Sequence, residues 1–204
     1  RIRRVVPYVE DTKNCLVFKP ENTLSTSAMA TLQAALKSAI QLEYQLEDSE
    51  LAAEPMPSRR ERDMVLFYEA AEGGAGVLRR LLDDPAAVSR VARRALEVCH
   101  YDPETAEDRE KSSGREDHCE AACYDCLMSY GNQLDHEVLD RQLNEVVDFL
   151  MDLKQARVES SPTPAARGDH MDQLLGKCES ELERKWLSFM NNLELRLPSD
   201  AQVL

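Results

Sequence analysis

The fold is decided by the stretch Cys119-Glu-Ala-Ala-Cys123-Tyr-Asp-Cys126-Leu-Met-Ser-Tyr-Gly-Asn-Gln-Leu-Asp-His-Glu-Val-Leu-Asp-Arg141. Three cysteines lie within its first eight residues, spaced C-x3-C-x2-C, and a fourth cysteine lies twenty residues upstream. Short cysteine spacings bring two sulfurs to one side of a metal ion, and a distant segment supplies the remaining ligands. Thiolate ligands favour zinc or an iron–sulfur cluster over calcium or magnesium. We therefore predict a zinc site at Cys99, Cys119, Cys123 and Cys126.

Alternatives stay open for the fourth ligand and for the cluster itself. His100 and His118 are chemically competent substitutes for Cys99. Ordinary buried thiols and disulfides are the other interpretations of clustered cysteines. The density of the cluster argues against the first, and the lack of a visible secretory segment argues against the second. Four protein ligands leave no position for water, so the predicted site is structural. The isolated Cys15 and Cys178 are interpreted as bystanders.

The composition narrows the class of protein. Of the 204 residues, 43% are hydrophobic and 31% are charged, which is ordinary for a soluble chain. The net charge of −13 means that the chain as a whole does not attract nucleic acid, although a local basic patch still can. No apolar run approaches the ~18 residues that span a bilayer. We expect a cytoplasmic chain without a membrane partner or an evident small-molecule substrate, forming part of a longer polypeptide.

The apolar patterning predicts an α/β fold, with a small mixed β-sheet, flanking helices and a C-terminal helical extension. Residues 4–9 and 14–18 are β-rich runs, joined by polar residues 10–13 in a predicted hairpin. Residues 63–69 form a short continuous apolar run, which is typical of a strand covered on both faces in a parallel sheet. Residues 43–51 fit either a helix extension or a further strand.

Helices are predicted on both sides of these strands. One runs from a Ser/Thr cap at residues 23–27 to about Leu46, and another runs from Asp84-Pro85 to Cys99. Residues 101–118 look like a mobile excursion between zinc ligands, and Asp135 is expected to cap a long helix. Four side chains are expected to pack against the knuckle: Tyr124, Leu127, Met128 and Tyr130.

Three domain segments follow from the composition along the chain. Residues 1–156 are predicted to form the zinc-binding α/β domain. Residues 157–170 have the composition of a linker. Residues 171–204 are interpreted as the helical start of a truncated further domain, with one helix over 172–195.

A glycine turn, Gly73-Gly74-Ala75-Gly76, lies between the strand at 63–69 and a short helix at 77–82. A strand, a glycine turn and a helix are the layout of an α/β crossover. Such a turn could cradle a phosphate at the helix N-terminus. However, it matches neither G-x-G-x-x-G nor the G-x4-G-K-[ST] phosphate loop. The preferred interpretation is that Gly73, Gly74 and Gly76 serve tight backbone geometry.

The densest basic patch lies on the two helices that follow the glycine turn. One interpretation is a solvated face that balances the abundant acids. The other is contact with the phosphate backbone of DNA. The candidate nucleic-acid contacts are Arg79, Arg80, Arg90, Arg93 and Arg94.

The glycine turn, the cysteine knuckle and Cys126-Leu-Met-Ser-Tyr-Gly-Asn-Gln-Leu-Asp-His-Glu-Val-Leu-Asp-Arg141, in this order, resemble one family. It is the cysteine-rich C-terminal domain of MrfA-type DEAD/DEAH-box helicases, which also occurs in the DrmA and DrmB components of the DISARM anti-phage system. The resemblance covers roughly residues 5–155. It implies a four-cysteine zinc site and a role beside an ATP-driven helicase that translocates on DNA, in repair or phage defence.

The sequence departs from a complete helicase, because it has neither a G-K-[ST] phosphate loop nor a D-E-x-H motif. ATP and magnesium are therefore expected only in the parent helicase core. The leading hypothesis is a non-catalytic accessory module that docks on that core in cis or in trans and helps to hold DNA. One alternative is a protein-interaction scaffold without DNA contact. The other is a nuclease-associated module or a nuclease, with candidate groups at Glu72, Asp135, His136 and Asp140.

Overall fold

The computed structural model describes most of the chain, in the residue ranges 10–70, 74–112, 114, 116–158, 167–178, 180–193 and 197–198. The chain divides into two compact units, residues 1–159 and residues 160–204. The strand predicted at residues 4–9, and with it the predicted hairpin, lies outside the described residues. No helix among the described residues is long and apolar enough to cross a membrane.

The first unit contains a three-stranded sheet in the order β1-β3-β2, with β1 at Cys15–Phe18, β2 at Leu51–Pro57 and β3 at Arg62–Glu69. This small sheet with flanking helices confirms the predicted α/β class. The prediction of a parallel setting for β3 is wrong, because β3 pairs antiparallel with both neighbours. Val65 and Phe67 are buried, and their neighbours Met64, Leu66 and Tyr68 are half-buried. A central antiparallel strand that is partly covered on its second face also selects a continuous apolar run.

The long helix α1, Thr26–Tyr44, starts within the predicted Ser/Thr cap and packs against the sheet. Ser25 Oγ accepts a hydrogen bond from the Ala28 N–H at 3.1 Å, which satisfies one of the free N–H groups of the first turn. The helix ends where Gln45 adopts a left-handed conformation, and six residues later the chain enters β2. Residues 43–51 therefore hold both a helix end and a strand start.

Two further helices follow the glycine turn: α2 at Val77–Asp83 and α3 at Ala87–Val98. α3 begins slightly after the predicted start, because the Asp84 carboxylate accepts from the Ala86 N–H at 2.9 Å and holds a turn ahead of the helix. Its apolar side packs on α1 and on the later helix α4, Asn144–Leu153. This packing sets the end of α3 against the cysteine knuckle.

The long helix predicted from Asp135 is wrong. The chain forms a 3-10 helix at Tyr130–Val138, runs extended at Leu139 and Leu143, and only then enters α4. Asp135 does not cap a helix, because its carboxylate pairs with the buried Arg62 guanidinium at 2.5 Å. A long-range ion pair of this kind overrides the local helical pattern.

The described residues of the second unit form two helices, α5 at Arg167–Lys177 and α6 at Glu181–Asn192, in place of the single predicted helix. The break lies near Ser180, whose hydroxyl accepts from the Glu183 N–H at 3.2 Å while the Glu183 carboxylate accepts from the Ser180 N–H at 2.9 Å. This reciprocal capping box starts a new helix. α5 begins inside the segment predicted as a linker. The assignment of this unit to a truncated further domain stays a prediction.

Candidate metal centre

Four donor groups of the first unit lie within 4.8 Å of one another, and they belong to His100, Cys119, Cys123 and Cys126. The Cys119 and Cys126 sulfurs are 3.7 Å apart, and His100 Nε2 is 3.4 Å from the Cys123 sulfur. Zinc–sulfur bonds of about 2.3 Å at tetrahedral angles place two sulfurs about 3.8 Å apart. The arrangement therefore fits one tetrahedral zinc ion.

The short C-x2-C segment forms a tight turn that aims two sulfurs at one point. The Cys123 N–H donates to the Cys126 sulfur at 3.0 Å, and the carbonyl of Cys123 accepts from the N–H groups of Cys126 and Met128 at 3.2 and 3.0 Å. The buried Leu127 anchors the turn in the core. An N–H donor favours the ionised form of a sulfur, which is the form that binds a metal.

The structure brings His100 to the group and leaves the predicted Cys99 outside it. Cys99 ends α3 with its side chain buried in the apolar core. The next residue, His100, has a φ of +63° and turns the chain toward the knuckle. The reason is the helix end: a left-handed residue redirects the backbone, so adjacent side chains point to different places. His118 also stays apart, since it is exposed and its Nδ1 lies 3.1 Å from a Glu110 carboxylate oxygen.

The conformation of His100 supports a functional role for its ring. The His100 N–H donates to Glu97 O at 3.0 Å and the Tyr101 N–H donates to Leu96 O at 2.9 Å, which is the hydrogen-bond pattern of a Schellman motif. Glycine usually occupies this left-handed position, because a side chain there costs about 1–2 kcal/mol. The left-handed conformation turns the His100 imidazole toward the knuckle, where its Nε2 lies 3.4 Å from the Cys123 sulfur. A histidine directly after the end of α3 is the sequence signal for this ligand.

Arg141 holds the two ligand-bearing segments together, and it is the largest fully buried side chain of the described residues. Its Nε and Nη2 donate to Cys119 O at 2.9 and 2.5 Å, and its Nη1 donates to Cys99 O at 3.3 Å. The same Nη1 donates to an Asp108 carboxylate oxygen at 2.7 Å. The guanidinium thus binds one carbonyl beside His100 and one at the first knuckle cysteine. The sequence suggests a local or interdomain hydrogen-bonding role for Arg141, but it does not predict that Arg141 joins these two segments.

The excursion between the ligands is tied at both ends. Tyr101 and Asp108 form an isolated β-bridge, and the Arg109 N–H donates to His100 O at 2.8 Å. The Cys119 N–H donates to Glu110 O at 2.7 Å. Burial would raise the pKa of Asp108, but the hydrogen bond and charge of Arg141 lower it overall. Asp108 therefore stays ionised beside the arginine that it neutralises.

Burial acts in opposite directions on the ligating form of the thiols and on that of the imidazole. Burial raises the pKa of the Cys119 and Cys126 thiols, so without a cation they favour the neutral form. Burial, followed by the charge of Arg141, lowers the pKa of His100, which keeps its imidazole in the neutral, ligating form. A bound divalent ion reverses the preference of the thiols, so binding releases protons.

The donor set also discriminates between metal groups. An iron–sulfur cluster places several irons and inorganic sulfides between its cysteines, which holds their sulfurs farther apart than 3.7 Å. A catalytic zinc keeps three protein ligands and an open position for water. Three sulfurs and one nitrogen fill all four positions. The residues therefore fit a structural zinc ion held by His100, Cys119, Cys123 and Cys126.

The glycine turn is not an anion site, because the chain supplies its own carboxylate. Glu69 is buried, and its oxygens accept from Asn14 Nδ2 at 3.0 Å, the Gly76 N–H at 3.0 Å and the Leu78 N–H at 2.9 Å. Burial would raise the pKa of Glu69, but these hydrogen bonds lower it overall. A Cβ on Gly74 would lie 2.1 Å from the Glu69 carboxylate, so this glycine allows the close approach. Gly73 lies outside the described residues.

Carboxylates of the same unit engage most of the predicted arginine patch. Arg90 pairs with Asp84 at 2.7 Å and with Glu43 at 3.1 Å. Arg79 lies 3.8 Å from Asp83, and Arg94 lies 2.6 Å from Glu97. Arg93 pairs with Glu104. Arg80 is exposed. These contacts favour the interpretation of a solvated face, and DNA contact there stays a prediction.

The groups considered for a nuclease are engaged separately. Asp135 pairs with Arg62, and His136 Nε2 lies 3.1 Å from Ser129 O and 3.0 Å from Asn132 Oδ1. Asp140 accepts from the Gln142 N–H at 2.9 Å. Glu72 lies outside the described residues. Within the described ranges, the cysteine–histidine group is the one cluster that could hold a metal ion.

Comparison with known proteins agrees with this geometry. Residues 32–127 match the family model described as the MrfA Zn-binding domain, and these residues include all four donors. No curated protein and no solved structure gives a match. The resemblance seen in the sequence is confirmed over the matched stretch: residues 32–127 are similar to the MrfA Zn-binding domain.

Proposed function

We propose that this chain is a non-catalytic, zinc-stabilised accessory module of an ATP-dependent DNA helicase, with a role in DNA repair or anti-phage defence. In this proposal it docks on the motor, in cis or in trans, in the cytoplasm. The observation that carries the proposal is a complete set of four donors inside a stretch similar to the MrfA Zn-binding domain. Because no position remains for water, the ion would hold the fold and would not perform chemistry.

The site supports a docking role because it fixes parts of the unit that are distant in sequence. His100 ends α3, whereas the three cysteines precede the 3-10 helix. Arg141 adds a second connection between the same segments. An ion at this place would make the surface of the knuckle rigid, which lowers the entropy lost on binding a partner. ATP and magnesium belong to the motor in this proposal.

The test uses the complete helicase that contains or binds this chain, with and without the double substitution Cys123→Ser/Cys126→Ser. We expect DNA unwinding to fall at least about tenfold, while ATP hydrolysis without DNA is retained, since the motor keeps its own nucleotide site. A zinc-free double variant that unwinds DNA as well as the wild type would contradict the proposal. The isolated chain should neither hydrolyse ATP nor cleave DNA.

A protein-interaction scaffold without DNA contact is the second candidate. It is favoured by the net charge of −13 and by the ion pairs that engage Arg79, Arg90, Arg93 and Arg94. A titration of duplex DNA at increasing salt separates the two candidates, since phosphate contacts weaken steeply with salt. Absence of binding at low salt favours the scaffold.

A further inference from the structure

We propose that helix α6 carries an apolar face that pairs two copies of this chain, with the two α6 helices antiparallel. We call this surface the α6 stripe, and it consists of Leu182, Trp186, Phe189 and Leu193. The inference concerns the second unit and depends neither on the zinc site nor on the proposed helicase role.

Helical geometry places the α6 stripe on one side of the helix. Its members follow one another at intervals of four, three and four residues. At 3.6 residues per turn they therefore lie within about 60° of the helix circumference. The Leu193 N–H donates to Phe189 O at 3.2 Å, which continues the helical pattern to the last member. In chain order the four side chains are 78%, 51%, 60% and 53% exposed, so α6 presents a contiguous apolar surface to water.

The second unit folds through a different face of α6. Leu187 is buried in a small core with Met171 and Leu174 of α5, and Met190 packs at the edge of that core. Leu187 and Met190 lie about 100° around the helix from the α6 stripe. A surface helix usually has one apolar face, which packs on its own domain. A second apolar face of this size marks an interaction site.

The most exposed apolar side chains among the described residues of the first unit are arranged differently. Tyr124, Tyr130 and Leu134 lie before or on a kinked 3-10 helix, which does not align them on one face. The sequence predicted that Tyr124 and Tyr130 pack against the knuckle, and for these two that prediction is wrong. Leu127 and Met128 take the inward positions in their place.

The spacing of the α6 stripe identifies a second copy as its occupant. Two leucines flank two aromatic residues, and the intervals of four, three and four residues are the same in both directions. When two such helices pack antiparallel, Leu182 of one copy lies opposite Leu193 of the other, and Trp186 lies opposite Phe189. A two-fold interface uses the same surface twice, so it requires a self-complementary pattern of this kind.

The charges around the α6 stripe are compatible with this pairing. In the antiparallel arrangement Lys185 of one copy lies beside Asn192 of the other, and Glu183 lies beside Met190, so like charges do not meet. Residues 160–204 contain seven acidic and five basic residues, so most of the net charge of −13 belongs to the first unit. Association through the second unit therefore meets little charge repulsion.

The exposed area of the α6 stripe sets the strength of the pairing. Phenylalanine and tryptophan side chains bury about 150–250 Å² each when they are fully covered. Because its members are half or more exposed, the stripe offers about 400–500 Å² per copy. The two copies together would bury about 800–1,000 Å², which is at the lower end for specific interfaces. We expect a weak dimer that forms at micromolar to submillimolar concentrations.

The test follows the zinc-loaded chain by sedimentation equilibrium and by the emission of Trp186, the only tryptophan of the chain. As the concentration rises, the mean mass should approach that of a dimer, and the emission should shift to shorter wavelength because Trp186 leaves water. The variant Leu182→Gln/Phe189→Gln should raise the dissociation constant at least about tenfold. Glutamine has a high helix propensity and the buried Leu187 is unchanged, so the helix should persist. The matched control Leu42→Gln changes a leucine of α1 that is 59% exposed, and it should dimerise as the wild type does.

A second pair of variants tests the antiparallel arrangement. Leu182→Lys/Leu193→Glu sets opposite charges against each other at both ends of an antiparallel pair, whereas Leu182→Lys/Leu193→Lys sets like charges there. The first variant should therefore associate severalfold more strongly than the second at low salt. In a parallel pair position 182 meets position 182, and both variants would place like charges together. Equal association of the two variants would contradict the antiparallel pairing.

Each contrary result of the first test overturns the inference. A monomer at every concentration would mean that no second copy binds the α6 stripe. A dimer that the variant Leu182→Gln/Phe189→Gln retains would place the interface elsewhere. Short-wavelength emission that does not depend on concentration would mean that the stripe is covered within its own chain. The unwinding assay with the zinc-site variant does not involve α6, so it tests the proposed function separately.

Discussion

The cysteine knuckle and the glycine turn are two places where the sequence concentrates groups that could hold an ion, and the structure treats them differently. At the glycine turn, the N–H groups of Gly76 and Leu78 already bind the carboxylate of Glu69. At the knuckle, three thiols and an imidazole converge on one another. Ionised thiolates at that spacing repel one another unless a cation lies between them. A motif becomes a ligand site where the chain does not supply the complementary group itself.

The arginine-bearing helix α3 follows the same rule as the glycine turn. Arg90 and Arg94 lie near Glu43 on α1, at 3.1 and 3.9 Å. These pairs link two packed helices. A basic patch in an acidic chain is therefore weak evidence for a nucleic-acid partner until its local carboxylates have been located.

The largest expected effect is the loss of one knuckle cysteine. Cys126→Ser should abolish stoichiometric zinc and unfold or strongly destabilise the first unit, since zinc binding contributes about 10–16 kcal/mol in zinc-finger peptides. Metal analysis and thermal unfolding by circular dichroism measure both effects. The matched control is Cys15→Ser, at an exposed cysteine far from the site in sequence. If Cys126→Ser keeps normal zinc content and stability, the knuckle is not a metal site and does not differ from the glycine turn in this respect.

A pair of substitutions at the end of α3 sharpens the assignment of the fourth ligand. His100→Gly should lose zinc affinity by a factor of about 100 or more, although glycine suits the left-handed backbone better and would stabilise a helix end that served no other purpose. Cys99→Ser should keep one zinc per chain. A competition titration against a chromophoric chelator measures both affinities. The reverse order would make Cys99 the ligand and His100 a bystander.

Arg141→Lys should have the next largest effect. A lysine keeps the charge but cannot reach Cys99 O, Cys119 O and Asp108 together, because it lacks the planar fork of donors. We expect a loss of about 1.5–3 kcal/mol of unfolding free energy, because buried carbonyl oxygens lose a charged donor, together with faster zinc release. Urea unfolding and chelator kinetics provide the measurements. Arg79→Lys, at an exposed i,i+4 pair, is the control and should change little.

At the glycine turn, Glu69→Gln should cost about 1–3 kcal/mol, because a neutral acceptor binds the same N–H groups more weakly. The pKa of Glu69 is lowered in the folded state, so its contribution is present above the unfolded pKa of about 4.3 and is lost as the pH falls through the folded value. As the pH falls below about 5, the wild type should therefore lose more unfolding free energy than the Glu69→Gln variant does. Urea midpoints across that range test this. Equal pH dependence would contradict a charged Glu69, and stabilisation of the variant by inorganic phosphate would reveal a latent anion site.

The smallest effect is expected on the arginine face. The triple substitution Arg90→Gln/Arg93→Gln/Arg94→Gln should change the slope of log K for DNA binding against log salt concentration by less than the value of one phosphate contact. The reason is that these side chains already pair with acids. A full set of three phosphate contacts would lower the slope by about 2.7. Fluorescence anisotropy at several salt concentrations measures the slope. A drop near the larger value would restore the arginine face as a DNA contact.

The sequence predicts those parts of the molecule that local rules determine. The spacing of Cys119, Cys123 and Cys126 predicts their convergence, and the helical spacing of Met29, Leu32 and Leu36 predicts the buried face of α1. The family match is carried by the same local motifs. These features depend on neighbours a few residues apart, which a single sequence displays directly.

Long-range contacts account for what the sequence does not predict. His100 takes the ligand position that was predicted for Cys99, because α3 ends in a left-handed residue. This turn directs the His100 side chain to the knuckle and leaves the Cys99 side chain in the core. The long helix does not begin at Asp135 as predicted, because Asp135 pairs with Arg62, which lies 73 residues away in the chain. Neither contact has a local pattern. A histidine directly after a helix end is nevertheless a signal worth testing in other sequences.

X-ray absorption at the zinc edge of the purified chain tests the central claim most directly. The account predicts one zinc per chain with a first coordination shell of three sulfurs and one nitrogen, from Cys119, Cys123, Cys126 and His100. A shell of four sulfurs would contradict the assignment of His100. A protein that folds without bound zinc would contradict the account as a whole.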